Sequence, residues 1–410
     1  MTVAGTLDTV MNDPQSSPTS LIERRRLVER TIQKRMLEHV AADMTTDFAA
    51  APLFIPASVY SDPVRLEAER RELFLRLPLL AGLSRDLEKP GDILVFDGAG
   101  PSIIIMRNGA GKVVAFRNMC MHRGAKLVET SCNVRRIVCP FHAWSYNHDG
   151  QLTGQPGAAA FAGIDKRQLG LLRVPSAERY GMIFVKAEVG DEEIDIDAFL
   201  GSLAPQMEHL DLGAMTAVKR GELIANGNWK HLLDTYGEGY HFARLHPDTL
   251  GTTHHTNLMA YDAFGPHWRV AYLAKSMDAL AHLPVTEWPP LDPAVYYIFP
   301  NTAIVVGSPQ PGLEVVEIFN IFPTDVLSTR VDLALYAPAT LASRENQSML
   351  EAGYDLAARI VEQEDYHISA GACENLRWAP AHCNMVLGRN EVALQDMERN
   401  IAAAAGMPIG

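Results

Sequence analysis

The fold is decided by two short stretches, C-M-H-R-G at Cys120–Gly124 and C-P-F-H-A-W at Cys139–Trp144. Each stretch offers one thiolate and one imidazole, in the patterns C-x-H and C-x-x-H, and both side chains bind transition metals. A Cys2His2 set also suits zinc, but zinc-finger spacing usually pairs Cys with Cys and His with His. The mixed halves therefore favour a different metal centre, with a zinc site as the alternative.

This ligand set resembles that of a Rieske [2Fe–2S] cluster, in which two Cys hold one iron and two His hold the other. The four ligands would be Cys120, His122, Cys139 and His142. Neutral imidazole in place of thiolate removes negative charge. It raises the reduction potential to roughly −150 to +300 mV, from about −400 mV in plant-type ferredoxins. Gly124 and Pro140 suit tight loops that approach a cluster closely.

Composition limits the class of protein. The chain of 410 residues is long enough for more than one domain. The net charge of −13 disfavours nucleic acid as the main partner. Five cysteines, two of them assigned to the cluster, fit a reducing compartment better than a disulfide framework. We recognise no membrane-spanning run and no signal peptide, so we expect a cytoplasmic protein without a membrane partner.

The order of the elements predicts an α+β protein in three parts. Residues 1–50 are expected to form an N-terminal tail and a helix, which begins at a capping box of Ser20 and Glu23. Residues 51–187 contain short strands separated by Gly-rich turns, and form the predicted Rieske domain. The acidic segment 188–213 is interpreted as a linker into a second domain, residues 188–410.

A second candidate metal site lies in Asn228–His246, which reads N-W-K-H-L-L-D-T-Y-G-E-G-Y-H-F-A-R-L-H. The pattern predicts a helix over residues 228–245, on which Asp234, Glu238 and His241 share one face. A polar stripe on an otherwise apolar helix needs partners or a metal when it is buried.

Two further features indicate that this helix is irregular. Gly237 and Gly239 weaken it and favour a local distortion. His241 and His246 would lie about 140° apart on a regular helix. We therefore expect His246 beyond the helix end, next to Pro247. Two His and one carboxylate form the facial triad of non-haem Fe(II) oxygenases.

The third ligand is expected from a second predicted helix, over residues 344–369. Its apolar positions form one stripe: Tyr354, Ala358, Val361 and Ile368. Asp365 points along this stripe, whereas Glu364 points away from it and Glu362 lies at its edge. Asp365 is therefore the candidate ligand, and a helix cap or an ion pair with Arg359 is the alternative.

Some aromatic and His side chains are weaker candidates for a substrate pocket, with ordinary core or surface as the default. They are Phe242, His254, His255, His267, Trp268, Tyr296 and Phe319.

Together these motifs, with F-P-N at Phe299–Asn301 and E-D at Glu364–Asp365, make most of residues 60–400 similar to the α-subunits of Rieske non-haem iron oxygenases. The resemblance implies a Rieske β-domain followed by a catalytic helix-grip (START-like) domain. That domain has a curved antiparallel sheet and a long C-terminal helix. Residues 188–410 would be this domain and would hold mononuclear Fe(II).

The resemblance also implies roles for the site residues. His241, His246 and Asp365 would hold the Fe(II). Glu238 would connect this site to a Rieske His of a neighbouring subunit, as an acid does at this position in the family. Asn228 lies near the iron in some relatives, and a simple helix cap is an equal alternative.

The implied function is that of an oxygenase component in a multicomponent system. An NAD(P)H-dependent reductase, acting directly or through a ferredoxin, would supply electrons. O2 would be used to hydroxylate, cis-dihydroxylate or dealkylate a small substrate, expected to be aromatic. The assembly would be a homotrimer or α3β3. The alternative is a Rieske electron-transfer protein with a non-catalytic ligand-binding domain, which the three filled triad positions disfavour.

Overall fold

The computed structural model describes residues 20–291, 293–310 and 313–409. The predicted tail, residues 1–18, lies outside them. Helix α1 (Leu21–Ala41) begins as predicted at Ser20, whose side chain accepts from Glu23 N at 3.2 Å. The Glu23 carboxylate in turn accepts a hydrogen bond from Ser20 N at 3.0 Å, so the capping box is confirmed.

The segment after α1 joins the N-terminal and C-terminal parts of the chain. Strand β1 (Leu53–Pro56) pairs antiparallel with β20 (Asn384–Leu387). Helix α2 (Pro63–Glu69) begins at its cap Asp62 and continues into a π-helical turn. It packs on the last helix of the chain. The predicted Rieske boundary at residue 51 therefore includes a segment that packs on the other domain.

Short antiparallel strands form three small sheets between residues 79 and 185, all of which the structure describes. They are β2 (Leu79–Leu83), β3 (Asp92–Phe96), β4 (Ile103–Arg107), β5 (Val113–Arg117), β6 (Cys132–Asn133), β7 (Ile137–Val138), β8 (Ser145–Tyr146), β9 (Leu152–Gly154), β10 (Arg173–Val174), β11 (Ser176–Arg179) and β12 (Met182–Val185). The sheet orders are β10-β5-β4-β3-β6, β11-β12-β2 and β7-β8-β9. The second Cys–His stretch is the connection between β7 and β8, and the first follows β5.

The C-terminal domain is built on a seven-stranded antiparallel sheet of order β13-β19-β18-β17-β16-β15-β14. Its strands are β13 (Met215–Ala225), β14 (His254–Phe264), β15 (His267–Ala274), β16 (Ala294–Ile298), β17 (Thr302–Gln310), β18 (Leu313–Asp325) and β19 (Ser328–Pro338). This antiparallel sheet with a long helix after it confirms the expected α+β architecture.

Helices surround this sheet. They are α3 (Ile196–Leu200), α4 (Ala204–His209), α5 (Trp229–Asp234), α6 (Phe242–Leu245), α7 (Leu250–Thr253), α8 (Met277–Leu280), α9 (Arg344–Ile360), α10 (Tyr366–Arg377) and α11 (Val392–Ala405). A π-helical turn, Val361–Asp365, joins α9 to α10. Within the described ranges, every helix is too short or too polar to cross a lipid bilayer.

The predicted continuous helix over residues 228–245 is wrong. Helix α5 ends at Asp234, and α6 begins only at Phe242. The two glycines between them allow close packing that a side chain would block. A Cβ at Gly237 would lie 2.5 Å from Leu394 Cδ1, and one at Gly239 would lie 3.1 Å from Tyr272 Cε1. Tertiary packing on β15 and α11 thus overrides the local helical pattern.

Candidate metal centres and the cavity between sheet and helix

The two predicted cluster loops have the same backbone hydrogen-bond pattern. In each, the Cys N–H donates to the carbonyl five residues later at 2.8 Å. The N–H of the residue four positions after the Cys donates to the carbonyl of that Cys, at 2.9 Å in the Cys120 loop and 3.0 Å in the Cys139 loop. That fourth residue is Gly124 in one loop and Ala143 in the other, and both have positive φ, 75° and 56°. The loops therefore present their Cys and His in equivalent ways.

The four predicted cluster ligands come together between these loops. Cys120 and Cys139 are 1% and 2% exposed, and the rings of His122 and His142 lie 4.6 Å apart. The Nδ1 atoms of both His are buried without a hydrogen-bond partner among the described residues. Trp144 stacks on the His122 ring at 4.7 Å. Two thiols and two open imidazole nitrogens at one place fit a Rieske [2Fe–2S] cluster.

Tyr146 is positioned to tune the sulfur of Cys120. Its hydroxyl oxygen lies 3.3 Å from Cys120 Sγ and accepts from Met121 N at 3.1 Å. Because the oxygen already accepts a hydrogen bond, its proton is available to the sulfur. Burial and the Cys120 thiol raise the pKa of Tyr146, so this proton is retained. Hydrogen bonds to cluster sulfurs are one of the factors that set the reduction potential.

The second candidate site joins α6 to the π-helical turn. Metal-binding atoms of His241, His246 and Asp365 all lie within 4.8 Å of one another. Asp365 Oδ1 is 3.5 Å from His241 Nε2 and 3.2 Å from His246 Nε2. Asp365 Oδ1 and His246 Nε2 are buried, and neither has a hydrogen-bond partner in the described part of the chain. Open donor atoms in a two-His, one-carboxylate set fit a mononuclear Fe(II).

Two glutamates hold the outer nitrogens of the triad histidines. Glu364 Oε2 lies 2.6 Å from His246 Nδ1, and the Glu238 carboxylate bonds in the same way to His241 Nδ1. Burial opposes protonation of His246, but the Asp365 and Glu364 carboxylates raise its pKa overall. Carboxylates in this outer position orient metal-binding imidazoles and fix the tautomer. Both Nε2 atoms are thereby directed to Asp365.

Asp365 lies beside the two His. Glu364 instead contacts the outer nitrogen of His246, a role that was not predicted from the sequence. Of the residues predicted inward on the same stripe, Val361 is buried but Ile368 is 55% exposed. The π-helical turn interrupts the regular 100° phase just before Asp365, so a stripe extrapolated through it fails beyond that point. Tyr366 is buried in its place.

Asp234 does not share a site with Glu238 and His241, so the predicted common face is wrong. The Tyr60 hydroxyl donates to Asp234 Oδ2 at 3.1 Å, on the side of the buried Glu398. Burial, together with the charge of Glu398, raises the pKa of Asp234 well above its usual value. Because α5 ends at Asp234, the chain turns before Glu238 and directs the two side chains to different places.

Asn228 is the N-cap of α5. Its side-chain oxygen accepts from Lys230 N at 3.1 Å, and its Nδ2 donates to Val326 O at 3.0 Å. It is 2% exposed and does not line the cavity beside the triad. The structure therefore gives Asn228 the capping role, and the role near the iron finds no support.

A cavity of about 690 Å³ opens beside the triad, between the sheet and helices α6 and α9. Its aromatic lining is Tyr236, Phe242, Tyr272 and Phe319. Of the weaker sequence candidates, Phe242, Phe319 and His254 line it, whereas Trp268, His267 and Tyr296 are core. Tyr236, Tyr272 and Glu317 were not predicted. The alternation of Val315, Glu317 and Phe319 along one strand was the available signal.

Two protein families match separate parts of the chain. The family described as "Rieske [2Fe-2S] domain" matches residues 78–174, which contain both cluster loops. The family described as "Ring hydroxylating alpha subunit (catalytic domain)" matches residues 210–406, which contain the triad and the sheet. The chain therefore contains a Rieske [2Fe–2S] domain and the catalytic domain of a ring-hydroxylating α-subunit. The open donor atoms described above fit a [2Fe–2S] cluster in the first domain and a mononuclear iron in the second.

Similar proteins of known name are oxygenase subunits. The glycine betaine monooxygenase oxygenase subunit of Pseudomonas aeruginosa (strain UCBPP-PA14) is 30% identical over 199 residues, 48% of this chain and 46% of that protein. This chain spans about half the length of such curated relatives. The carnitine monooxygenase oxygenase subunit of Escherichia coli (strain K12) is 26% identical over 313 residues, 72% of this chain and 78% of that protein.

A solved structure shares the fold of this chain. It is a quaternary ammonium Rieske monooxygenase in complex with its substrate L-carnitine. The TM-score is 0.73 at 18% identity, over 87% of this chain and 96% of that one.

Proposed function

We propose that this chain is the oxygenase component of a Rieske oxygenase, which uses O2 and reductase-supplied electrons to oxidise a small organic substrate. The observation that carries the proposal is the triad of His241, His246 and Asp365, whose metal-binding atoms meet within 4.8 Å of one another beside a cavity of about 690 Å³. When bound, the cluster would supply reducing equivalents and the mononuclear iron would supply O2 activation. A pure electron carrier would need neither the triad nor the cavity.

The protein's own residues would position these groups. Glu238 and Glu364 hold the outer nitrogens of the two His, and the cavity lining excludes water from the substrate. We further propose that Glu238 connects His241 to a Rieske His of a neighbouring subunit. Its side chain is 12% exposed, and Tyr240 beside it is 64% exposed. A homotrimer or α3β3 assembly would bring that subunit to this surface, and an NAD(P)H-dependent reductase, directly or through a ferredoxin, would deliver the electrons.

The substrate class we propose differs from the aromatic compound expected from the sequence. The relatives described above are named for glycine betaine and carnitine, which are quaternary ammonium compounds. We propose an N-methylated ammonium substrate, oxidised by monooxygenation with loss or hydroxylation of an alkyl group. An aromatic hydrocarbon is the competing outcome.

Iron and acid-labile sulfide in purified protein test the proposal first. We expect about three irons and two sulfides per chain after Fe(II) reconstitution. Substrate-dependent O2 uptake, with a supplied reductase, is then compared for trimethylammonium compounds and for aromatic hydrocarbons. An iron content matching the cluster alone, with no O2 uptake, would favour the electron carrier.

Glu238→Gln tests the proposed connection between subunits. At saturating Fe(II) it should keep both metal centres loaded while turnover falls sharply, and Glu238→Asp should retain part of the activity because it keeps the carboxylate. Unchanged turnover in Glu238→Gln would remove Glu238 from the electron path.

A further inference from the structure

Charged side chains from helices α2, α5 and α11 form a buried charge cluster, which consists of Arg65, Glu69, Lys230, Asp234 and Glu398. Lys230 Nζ lies 2.6 Å from Glu69 Oε1, and the two side chains are 1% and 0% exposed. Trp229 Nε1 donates to the other Glu69 oxygen at 2.8 Å. Glu69 therefore has both oxygens engaged, and its charge neutralises that of Lys230.

Two acids of the cluster, Asp234 and Glu398, lack hydrogen-bond donors. Glu398 is 1% exposed, and neither of its carboxylate oxygens has a hydrogen-bond partner among the described residues. Asp234 accepts from the Tyr60 hydroxyl at 3.1 Å, but its Oδ1 is buried and has no such partner there. An ionised carboxylate without donors is costly in the interior, so burial favours the neutral acid. Burial raises the pKa of Glu398 to about 7, and burial with the charge of Glu398 raises that of Asp234.

The charges of the cluster balance when this acid pair keeps one proton. Arg65 is the second buried cation. Its Nη2 donates to a backbone carbonyl at 2.6 Å, and its charge acts on Glu398. Two cations, Arg65 and Lys230, thus face three carboxylates, those of Glu69, Asp234 and Glu398. One proton on the acid pair makes the cluster neutral, and two carboxylates in close proximity commonly share one proton.

The other titratable groups around the acid pair do not replace this proton. The Tyr60 hydroxyl keeps its own proton, because burial and the charges of both acids raise its pKa. The Tyr297 hydroxyl donates to a backbone carbonyl. His231, whose ring lies edge-on to that of Tyr60, is neutral because burial lowers its pKa. Glu391, just before α11, adds negative charge near Asp234 and so favours the proton further.

The acid pair lies at the base of the turn that carries His241. Asp234 ends α5, and its carbonyl accepts from Gly237 N at 3.1 Å. A Cβ at Gly237 would lie 2.5 Å from Leu394 Cδ1, so the turn packs directly on α11. Leu394 and Glu398 are four residues apart and therefore lie on the same face of that helix. One face of α11 thus faces both the start of the turn and its middle.

We propose that Asp234 and Glu398 share one proton, and that this proton positions the turn of His241 on α11. When the pH rises and the proton leaves for solvent, the cluster gains a buried negative charge that nothing compensates. The two acids then repel each other, and the contact between the turn and α11 loosens. Both are positioning residues, which act through His241. The inference rests on the proposed function only in that His241 holds the mononuclear iron.

Fe(II) affinity at two pH values tests the role of the proton. The full-length protein, with its cluster loaded and its mononuclear iron removed by a chelator, is titrated with Fe(II) without substrate or reductase. Because the folded-state pKa of Glu398 is raised to about 7, its stabilising contribution is present below that pH and lost above it. Glu398→Gln should match the wild type near pH 6 and bind Fe(II) about tenfold more tightly near pH 8.5. Comparison at equal pH cancels the titration of the iron ligands themselves.

Amide hydrogen exchange of residues 235–241 measures the turn directly, with or without iron. Near pH 8.5 the wild-type turn should exchange faster than that of Glu398→Gln at the same pH. Asp234→Asn should behave like Glu398→Gln, because either amide makes the cluster neutral without a shared proton. The double variant should bind Fe(II) more weakly at both pH values, because it leaves one buried cation uncompensated.

The matched control is Glu374→Gln, which removes one negative charge from an exposed position on α10, outside the cluster. Its Fe(II) affinity should follow that of the wild type at both pH values. Cluster absorbance reports whether each variant is folded, and Asp234→Asn decides if Glu398→Gln does not fold.

Two results would overturn the inference. One is the same pH dependence of affinity and exchange in the wild type and the single amide variants. The other is an affinity that changes with the salt cation and not with pH, since a bound cation would then balance the cluster. Failure of the proposed function looks different. If the turn responds to pH as expected but no substrate stimulates O2 uptake, the shared proton stands and the proposed reaction is wrong.

Discussion

The two candidate iron sites hold their donor atoms by different means. In the cluster loops, backbone hydrogen bonds repeat around Cys120 and Cys139, and the ligands of each loop lie two or three residues apart. In the triad, side-chain carboxylates hold the histidines, and Glu364 is 118 positions from His246. A site held by its own backbone can be recognised from a short motif. A site held by remote side chains depends on how the whole domain packs.

Of the variants that compare the two iron sites, Asp365→Ala is expected to have the largest effect on iron content and turnover. It removes the one carboxylate of the triad, so iron should fall to about two per chain and turnover should be lost. The visible spectrum of the cluster should persist, because its loops do not depend on α9 or α10. Glu362→Ala, in the same π-helical turn but exposed, is the control and should keep its iron. Loss of mononuclear iron in Glu364→Ala but not in Asp365→Ala would assign the third ligand to Glu364.

Glu364→Gln tests whether a remote side chain really holds the triad. The amide is a weaker acceptor for His246 Nδ1–H than the carboxylate 2.6 Å away. Affinity for Fe(II) should therefore fall about 10- to 100-fold, with activity partly restored by excess Fe(II). Fe(II) titration of the chelator-treated protein measures this. An unchanged affinity would mean that the hydrogen bond between Glu364 and His246 does not contribute to iron binding.

Tyr146→Phe tests the side-chain hydroxyl that lies 3.3 Å from Cys120 Sγ. Loss of the hydrogen bond to Cys120 Sγ should lower the reduction potential by roughly tens of mV. Spectroelectrochemical titration of the cluster reads this directly, and the Fe(II) affinity of the triad should not change. A potential equal to that of the wild type would show that the hydroxyl proton is not directed at the sulfur.

Gly124→Ala and Ala143→Gly give the smallest expected effects, and they compare the two loops at equivalent positions. Gly124→Ala places a Cβ at φ 75° and should lower the free energy of unfolding by about 1–2 kcal/mol. Its nearest neighbours would be 4.0 Å away on Met119, so strain and not a clash is the cause. In Ala143→Gly, relief of backbone strain stabilises the folded state, and the greater freedom of the unfolded chain destabilises it by a similar amount. The free energy of unfolding should therefore change little.

Guanidinium titration followed by cluster absorbance distinguishes the two variants. If Gly124→Ala and Ala143→Gly lowered the free energy of unfolding equally, the two loops would not be equivalent despite their shared hydrogen-bond pattern.

The sequence by itself determined the features that depend on neighbouring residues. The C-x-H and C-x-x-H motifs indicated four donors that the structure brings together, because each loop closes on its own backbone. The capping box at Ser20 and the strands between residues 92 and 117 also depend on residues that are near one another in the chain. The choice of Asp365 over Glu364 agrees with the structure, although the regular helical phase on which that choice was based ends where the π-helical turn Val361–Asp365 begins.

Only the tertiary structure decided the rest. It ended α5 at Asp234, because Leu394 and Tyr272 pack against the glycines that follow. It brought Glu364 to His246, and turned Glu317 into the cavity through the register of β18 with its neighbours. These outcomes depend on contacts between segments far apart in the chain, and local periodicity carries no information about such contacts.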